Sequence, residues 1–366
     1  MNRANQDKHV LVAMSGGVDS SVALYLLHEQ GYTVSGATMK LWDYKDVGGE
    51  DHARADGGCC DLNAINNARA VCDKLGVRHY VLDFSGIFRQ TVIENFVSEY
   101  RRGRTPNPCV LCNTKIKWEK FLERARGIGC DYIATGHYAI TGIDEATGRS
   151  FLDRGKDWTK DQAYALWGVT QDALAHTLLP LGPLTKEETR AIAAGAGLKT
   201  ACVPESMEIC FVADNNYERF IREYVNMEIP KGDIVTEEGK VVGEHKGIPF
   251  YTVGQRKGLG IAHPTPLYVK KIDVEANRVI VGEKQSVHAS EFTVSDLNWV
   301  SKTPTVETFS GNVQIRYNHR ACPAMVIPQQ DNRLLVRFSD PQPAITPGQS
   351  AVVFDGDRIL VGGIID

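Results

Sequence analysis

The stretch His9-Val10-Leu11-Val12-Ala13-Met14-Ser15-Gly16-Gly17-Val18-Asp19-Ser20-Ser21-Val22 decides the fold of the first part of the chain. Its apolar run 10–14 has the length and β-branched content of a buried parallel strand, and 20–30 has the spacing of a helix. Between them, glycines let the backbone approach a bound group, and helix N-terminal amides favour an anion. The stretch therefore predicts a phosphate-binding turn. A plain turn without a ligand is the alternative, but it would not require two hydroxyls and a carboxylate around a glycine pair.

Strands and helices alternate after this turn. Strands are predicted at 33–39, 79–84 and 132–135, and helices at 61–75 and 88–100. This alternation predicts an α/β fold in which a parallel sheet carries helices on both faces. Ligands of such sheets bind beyond the carboxyl ends of the strands. The glycine turn follows the first strand and so lies where a ligand is expected.

The predicted secondary structure changes after residue 211. A last large helix is predicted at 185–195, where Thr185 and Glu188 form a capping box, and a short helix at 217–225. Short β-type runs bounded by turn residues then predict a small barrel: 311–317, 324–327, 334–338, 350–354 and 359–364. We therefore expect a parallel-sheet domain at 1–215, a small central domain at 216–285 and a C-terminal β-barrel at 286–366.

The charge of the chain is unevenly distributed. It has 41 basic and 45 acidic residues, a net charge of −4, which by itself argues against nucleic acid. Between 101 and 126, however, eight basic residues face two acidic ones. This excess indicates either phosphate binding or a solvated helix face. The polar start is no signal peptide and no apolar run could span a bilayer, so we expect a cytoplasmic protein without a membrane partner.

The chain has nine cysteines, an odd number, and no export signal, so we do not expect a structural disulfide framework. Cys109-x-x-Cys112 and Cys210 are candidates for chemistry. The isolated cysteines are interpreted as core or incidental residues: Cys72, Cys130, Cys202 and Cys322. Cys59-Cys60 follows the segment 43–58, predicted to be a mobile loop, and is assigned no role.

Two prolines shape the segment before the candidate cysteines. Pro106 and Pro108 are predicted to forbid helix from 101 to 113 and to stiffen the chain there. The basic helix is therefore expected to begin at Lys115.

Six motifs occur in a fixed order: Ser-Gly-Gly-Val-Asp-Ser at 15–20, Thr-Pro-Asn-Pro-Cys-Val-Leu-Cys-Asn at 105–113, Thr-Gly-His-Tyr at 135–138, Lys-Asp-Gln at 160–162, Ser-Met-Glu-Ile-Cys-Phe at 206–211 and Gly-Ile-Pro-Phe-Tyr-Thr-Val-Gly-Gln-Arg-Lys-Gly at 247–258. With them the chain resembles the tRNA-specific 2-thiouridylases, from the first loop to Gly348-Gln349-Ser350. The loop alone would indicate only the ATP pyrophosphatases. The resemblance implies an ATP-pyrophosphatase domain, a central tRNA-contacting domain and a C-terminal barrel.

The resemblance also implies the reaction. These enzymes replace the C2 oxygen of uridine 34 of tRNA with sulfur: ATP adenylates the oxygen, pyrophosphate leaves, and a sulfur nucleophile displaces AMP. ATP and Mg²⁺ are the implied cofactors. The implied partners are the tRNAs for Lys, Glu and Gln and a protein that donates persulfide sulfur. The target base must leave its stack to react.

Site residues follow from matching positions. For ATP these are Ala13, Met14, Ser15, Gly16, Gly17, Val18, Asp19, Ser20, Met39 and Gly136. Cys210 corresponds to the cysteine that carries the persulfide and Cys112 to the nucleophile, with a transient Cys112–Cys210 disulfide between them. For tRNA and its target base the positions are Asn107, Pro108, Cys109, His137, Lys160, Asp161, Gln162, Arg316, Tyr317 and Gln349.

One position departs from the pattern. Cys109 stands where many members of the family have an aspartate, and a thiol is a weaker proton shuttle than a carboxylate. Cys109, Cys112 and Cys210 could instead hold an iron–sulfur cluster that carries sulfide. A small-molecule ligase that shares the ATP loop is a further alternative, although it has no use for Cys112 and Cys210.

Overall fold

The computed structural model describes residues 5–42, 62–203, 209–212, 214, 216–225 and 228–366. The predicted loop 43–58, Cys59-Cys60 and the start of the 206–211 motif lie outside these residues. The chain divides into two compact units. The first comprises Met1–Val92, Cys109–Asn215 and Asp357–Ile359, and the second Ile93–Pro108, Asn216–Gly356 and Leu360–Asp366.

The strands of the described residues are, in chain order, β1 (His9–Ala13), β2 (Thr33–Lys40), β3 (His79–Asp83), β4 (Tyr132–Ala134), β5 (Ala139–Ile143), β6 (Ser150–Arg154), β7 (Thr177–Leu178), β8 (Gly232–Thr236), β9 (Val241–His245), β10 (Tyr268–Asp273), β11 (Arg278–Gly282), β12 (His288–Trp299), β13 (Phe309–Gln314), β14 (Cys322–Gln329), β15 (Arg333–Pro343), β16 (Ser350–Asp355) and β17 (Arg358–Ile365).

The α-helices are α1 (Val18–Glu29), α2 (Leu62–Leu75), α3 (Ser85–Phe88), α4 (Glu94–Arg101), α5 (Pro108–Leu111), α6 (Phe121–Gly127), α7 (Gln171–Ala175), α8 (Lys186–Gly195) and α9 (Tyr217–Val225). Two stretches are π-helical, Arg89–Ile93 and Cys112–Lys120. Short 3₁₀ turns lie at Ala163–Leu166, Lys199–Cys202, Ile248–Phe250 and Lys284–Val287.

The first unit is built on a parallel sheet with the strand order β3-β2-β1-β4-β7. Its central strand β1 is buried, and Val10, Leu11 and Val12 have no exposed surface. The helices α1, α2 and α8 contribute to the core around it. The predicted parallel-sheet fold is confirmed. The change of direction of the strand order falls between β1 and β4, where such sheets bind ligands.

The second unit contains two β structures. The strands β10-β11-β8-β9 form one sheet. The strands β12-β15-β14-β13-β16-β17 form the other, and the pairing of β12 with β17 closes it into the predicted barrel. The barrel strand β12 was not predicted from the sequence. Its pairing with β17 has a register shift between Ser295 and Asn298, and Asp296 in this stretch has a positive φ. This irregularity breaks the period-two pattern by which a strand is recognised.

The helix before the basic residues begins earlier than predicted. Pro108 starts α5, and the helix continues through the π-helical stretch Cys112–Lys120 into α6. The prediction that the prolines exclude helix up to 113 was therefore wrong. Proline is tolerated in the first turn, because its missing N–H would have no helical acceptor there. Cys112 lies within this helix.

The predicted capping box is confirmed. The Thr185 hydroxyl accepts a hydrogen bond from the Glu188 N–H, and the Glu188 carboxylate accepts one from the Thr185 N–H. Among the described residues, no helix is both long and apolar enough to cross a membrane.

Candidate active site

The turn between β1 and α1 requires glycine at position 16. Gly16 has φ +76°, and a Cβ there would lie 2.3 Å from the Ala64 carbonyl oxygen. Gly17 occupies the N-cap position of α1, which receives no side-chain hydrogen bond. The Ser15 N–H donates to the Ser20 hydroxyl at 3.2 Å. Gly17 has no side chain that could cap α1, and the amides at a helix N-terminus favour an anion.

Asp19 lies in a charge cluster that the sequence analysis missed. Lys186 donates from Nζ to both Asp19 carboxylate oxygens, at 2.7 and 2.8 Å. The Tyr138 hydroxyl donates to Asp19 Oδ1 at 2.8 Å and lies 3.0 Å from Thr189 Oγ1. Lys186 is only 8% exposed. No local sequence signal marks this pair, because Asp19 and Lys186 lie 167 residues apart in the chain.

Gly136 lies against the same loop. A Cβ on Gly136 would approach the Asp19 carbonyl carbon and the Ser20 nitrogen to 2.8 Å. Only glycine lets the turn after β4 come this close. The fold therefore brings Gly136 together with the predicted ATP residues that follow β1. The Met14 N–H donates to Ala37 of β2 at 2.8 Å, and Met39 is nearly buried near the end of that strand.

His137 is a neutral, partly buried imidazole. Its Nδ1 lies 2.6 Å from Thr135 Oγ1, and its ring lies 5.3 Å from the ring of Trp118. Burial, with a smaller contribution from the positive charge of Lys117, lowers the pKa of His137 well below 6.5. His137 can therefore donate or accept a hydrogen bond without adding charge near a phosphate.

The turn that carries Lys160, Asp161 and Gln162 is fastened to the core of the first unit. Asp161 is buried, pairs with Arg154 at 2.6 Å and accepts backbone hydrogen bonds from Gly155 and Ala163. Gln162 accepts a hydrogen bond from the Tyr138 N–H at 3.0 Å. Asp161 and Gln162 thus hold the turn in place, whereas tRNA contact by these residues stays a prediction.

The candidate cysteines differ in exposure. Cys112 is buried, Cys210 is half-buried and Cys109 is exposed. Among the described residues, no three or more His, Cys, Asp or Glu side chains are arranged to hold a metal ion.

The isolated cysteines divide into two groups. Cys72 and Cys130 are buried, and burial is the main cause that raises the pKa of each thiol to about 11. They are inert core residues at neutral pH. Cys202 is exposed, and Cys322 is half-buried in the barrel.

The predicted tRNA positions of the second unit have well-defined partners. The Gln349 amide donates to the Thr105 and Pro106 carbonyls, at 2.9 and 3.3 Å. Arg316 donates to the Pro343 carbonyl at 3.1 Å. Tyr317 is half exposed. Gln349 therefore fixes the backbone just before Asn107 and Pro108.

The basic excess between 101 and 126 is partly neutralised and divided between the units. Arg101, Arg102 and Arg104 belong to the second unit, and Lys115, Lys117, Lys120, Arg124 and Arg126 to the first. Five of the eight residues form ion pairs: Arg102 and Arg104 with Glu99, Lys115 with Glu119, Lys120 with Glu123, and Arg126 with Asp172. Phosphate binding by these residues, which the family resemblance favours over a solvated surface, stays a prediction.

Known protein families match along the chain. The family described as tRNA methyl transferase HUP domain matches residues 8–214, the tRNA methyl transferase PRC-barrel domain 218–283, and the aminomethyltransferase beta-barrel domain 289–365. Full-length relatives are more specific. A tRNA-specific 2-thiouridylase of Acetivibrio thermocellus is 49% identical over 98% of this chain and 99% of its own. The chain belongs to the tRNA-specific 2-thiouridylase family.

Two further relatives of this thiouridylase are also tRNA-specific 2-thiouridylases. That of Geotalea uraniireducens is 48% identical over 100% of this chain and 97% of its own, and that of Carboxydothermus hydrogenoformans 49% identical over 98% of both. A solved 4-thiouridine synthetase–RNA complex with bound ATP aligns with a TM-score of 0.35 and 14% identity, over 60% of this chain and 50% of that one.

Membership establishes the activity. The thiouridylase is an enzyme that transfers sulfur to uridine in tRNA, and tRNA is its substrate. The HUP domain fits an ATP-dependent reaction. The alternative of a small-molecule ligase therefore gives way to tRNA thiolation.

Proposed function

We propose that this thiouridylase acts on uridine 34, activates its C2 oxygen with ATP, and delivers sulfur from a cysteine persulfide. The approach of Gly136 to Asp19 and Ser20 carries this proposal, because it forms a narrow cradle at the carboxyl edge of the sheet. The phosphates of ATP bind the amides that follow Ser15. Met39 and Gly136 contact the adenosine, as the family resemblance implies.

The same loop has oxygen donors that suit magnesium. Mg²⁺ prefers oxygen ligands and usually takes one or two carboxylates together with substrate phosphates. Asp19 supplies the carboxylate, which it would have to share with Lys186. When bound, the ion would neutralise phosphate charge.

The sulfur step uses two cysteines. After the C2 oxygen attacks the α-phosphorus and pyrophosphate leaves, the terminal sulfur of the Cys210 persulfide adds to C2, and AMP leaves with the C–O electron pair. The Cys112 thiolate then attacks Cys210 Sγ and breaks the S–S bond. Its electron pair passes to the sulfur on C2, which becomes the thione. The resulting Cys112–Cys210 disulfide is reduced by an external thiol.

We propose the tRNAs for Lys, Glu and Gln as substrates and a persulfide-bearing protein as the sulfur donor. The tRNA contacts are the positions implied by the resemblance: Asn107, Pro108, Cys109, His137, Lys160, Asp161, Gln162, Arg316, Tyr317 and Gln349. The domains are placed at 1–215, 216–285 and 286–366. The ends of the family matches, at 214 and 283, support these boundaries.

Single serine substitutions test the proposal. Cys210→Ser and Cys112→Ser are each expected to abolish 2-thiouridine formation, measured by nucleoside analysis, while ATP and tRNA binding stay near wild type. Cys322→Ser, at a half-buried thiol of the barrel, is the matched control and should retain full activity. Full thiolation by Cys210→Ser would overturn the persulfide assignment.

A cluster held by Cys109, Cys112 and Cys210 is the second candidate for sulfur delivery, favoured by the Cys-x-x-Cys spacing. Anaerobic purification followed by iron and labile-sulfide analysis separates the two. Activity of iron-free protein would eliminate the cluster, and strict iron dependence would eliminate the persulfide route.

A further inference from the structure

Trp158 is an exposed aromatic residue that none of the roles above uses. Its side chain is 70% exposed, whereas Trp42, Trp118 and Trp167 are buried. Single exposed apolar residues are common, so exposure by itself indicates nothing. The setting of Trp158 is what distinguishes it.

The turn that presents Trp158 is held by hydrogen bonds on both sides. Asp157 Oδ1 accepts from the Thr159 N–H and hydroxyl, and Asp157 Oδ2 accepts from the Lys186 N–H at 3.0 Å. After Trp158, the Lys160 N–H donates to the Asp157 carbonyl at 3.0 Å, and the buried Asp161 pairs with Arg154. The indole is therefore presented by an ordered backbone, which reduces the entropy lost when a ligand binds.

This turn adjoins the phosphate-binding loop. The Lys186 whose N–H holds Asp157 is the residue whose Nζ binds Asp19. Lys160 adds a cation to the same turn. An aromatic face beside a cation suits an unpaired nucleotide, whose base stacks while its phosphate is neutralised.

We propose that Trp158 is a stacking platform for an unpaired base of the tRNA anticodon loop, with Lys160 beside the adjoining phosphate. The choice of the anticodon loop rests on the proposed function at uridine 34. The contact serves binding, so its loss acts on the affinity for tRNA and not on the chemical step.

The test compares Trp158→Ala, Trp158→Phe and Ile143→Ala. Ile143 is 63% exposed and is a control for removal of exposed apolar surface. Unmodified tRNA transcript is the substrate. Trp158→Ala should raise the KM and Kd for this tRNA roughly 5- to 100-fold, as expected for the loss of base stacking, while kcat stays within about twofold of the wild-type value. Trp158→Phe should retain most of the affinity, and Ile143→Ala all of it. An anticodon stem-loop fragment should show the same loss.

A fluorescence titration provides a second readout. Stacking should quench the emission of the wild type on addition of tRNA, and the quenching should be absent from Trp158→Phe. Unchanged Kd in Trp158→Ala, or a loss for whole tRNA without one for the stem-loop, would overturn the proposal. A third result would also overturn it: Trp158→Ala binds tRNA normally but turns over more slowly, and only when a donor protein supplies the sulfur. That result would mean that Trp158 contacts a protein. Failure of the wild type to thiolate uridine 34 would instead contradict the proposed function.

Discussion

The Asp19–Lys186 pair shows how much an ion pair depends on its surroundings. The Lys186 side chain is 10% exposed and that of Asp19 31%, so removal of the cation leaves a partly desolvated carboxylate beside the phosphate loop. The pair of Lys156 with Glu188 has a similar distance, 2.8 Å, but its side chains are 50% and 45% exposed. Exposed pairs contribute little to stability.

Lys186→Met is therefore expected to be far more damaging than Lys156→Met. We expect Lys186→Met to lower the free energy of unfolding by about 2 kcal/mol, and Lys156→Met by less than about 1 kcal/mol. Pyrophosphate release should fall about tenfold or more only in the first variant, because Asp19 loses its position. Denaturant titration and a pyrophosphate assay measure both effects. Equal effects of the two substitutions would contradict a special role of Lys186.

The neutral state of His137 has a consequence for pH dependence. Because its pKa in the folded protein lies well below 6.5, the unfolded chain takes up a proton first as the pH falls. Stability must then decrease below about pH 6.5, by at most about 1.4 kcal/mol per pH unit for one histidine. His137→Gln keeps a polar side chain and should show a shallower decrease between pH 7 and 5.

The pH dependence of stability is compared between the wild type and His137→Gln, because burial also lowers the pKa of His79 and His319. These residues contribute equally to both proteins. Urea titrations at several pH values give the two slopes. Parallel slopes for wild type and His137→Gln would mean that His137 titrates normally in the folded protein.

At the scale of elements, the β1–α1 turn depends on a contact as well as on a backbone angle. Gly16 and Gly76 both have positive φ, +76° and +67°. A Cβ at Gly16 would collide with Ala64 of α2, whereas a Cβ at Gly76 would have no described atom within 4 Å. Alanine substitutions at the two positions therefore distinguish the cost of backbone strain from the cost of a steric clash.

Gly16→Ala should abolish ATP binding and destabilise the first unit, because α2 or the loop must move. Gly76→Ala should cost only about 1–2 kcal/mol of backbone strain and keep ATP affinity. Isothermal titration with ATP and thermal unfolding provide the measurements. Retention of ATP affinity in Gly16→Ala would show that the cradle is not needed.

At the scale of the whole molecule, the segment Ile93–Pro108 folds with residues far away in sequence. Phe96 contacts Phe220, and Tyr100 stacks on Tyr217 with ring centroids 5.7 Å apart. The Thr105 N–H donates to the Pro347 carbonyl at 2.8 Å. The proposed first domain, 1–215, is continuous, whereas this segment belongs to the second compact unit.

Gln349→Ala should loosen this segment. The loss of two hydrogen bonds, each worth about 1 kcal/mol, is expected to increase tryptic cleavage after Arg104 about fivefold or more. Gln329→Ala is the control, since its amide donates to the neighbouring Ile327 and Pro328 carbonyls. Digestion followed by mass spectrometry identifies the site. Equal cleavage of both variants would show that Gln349 does not restrain the segment.

The sequence by itself determined the strand–turn–helix unit, the parallel sheet, five of the six barrel strands and the Thr185 capping box. These features follow from local hydrophobic period, backbone sterics and short-range hydrogen bonds, all of which are written in neighbouring residues. The family motifs added the activity, because they are local as well.

Only the tertiary structure decided which distant groups meet. Lys186 reaches Asp19 across 167 residues, and Gln349 reaches Thr105 across 244. It also shows that Asp161, for which the family resemblance implies contact with tRNA, forms an ion pair with Arg154. Such pairings depend on how whole elements pack, and the free energy that selects them is spread over the cores of the two units, so no local pattern records them.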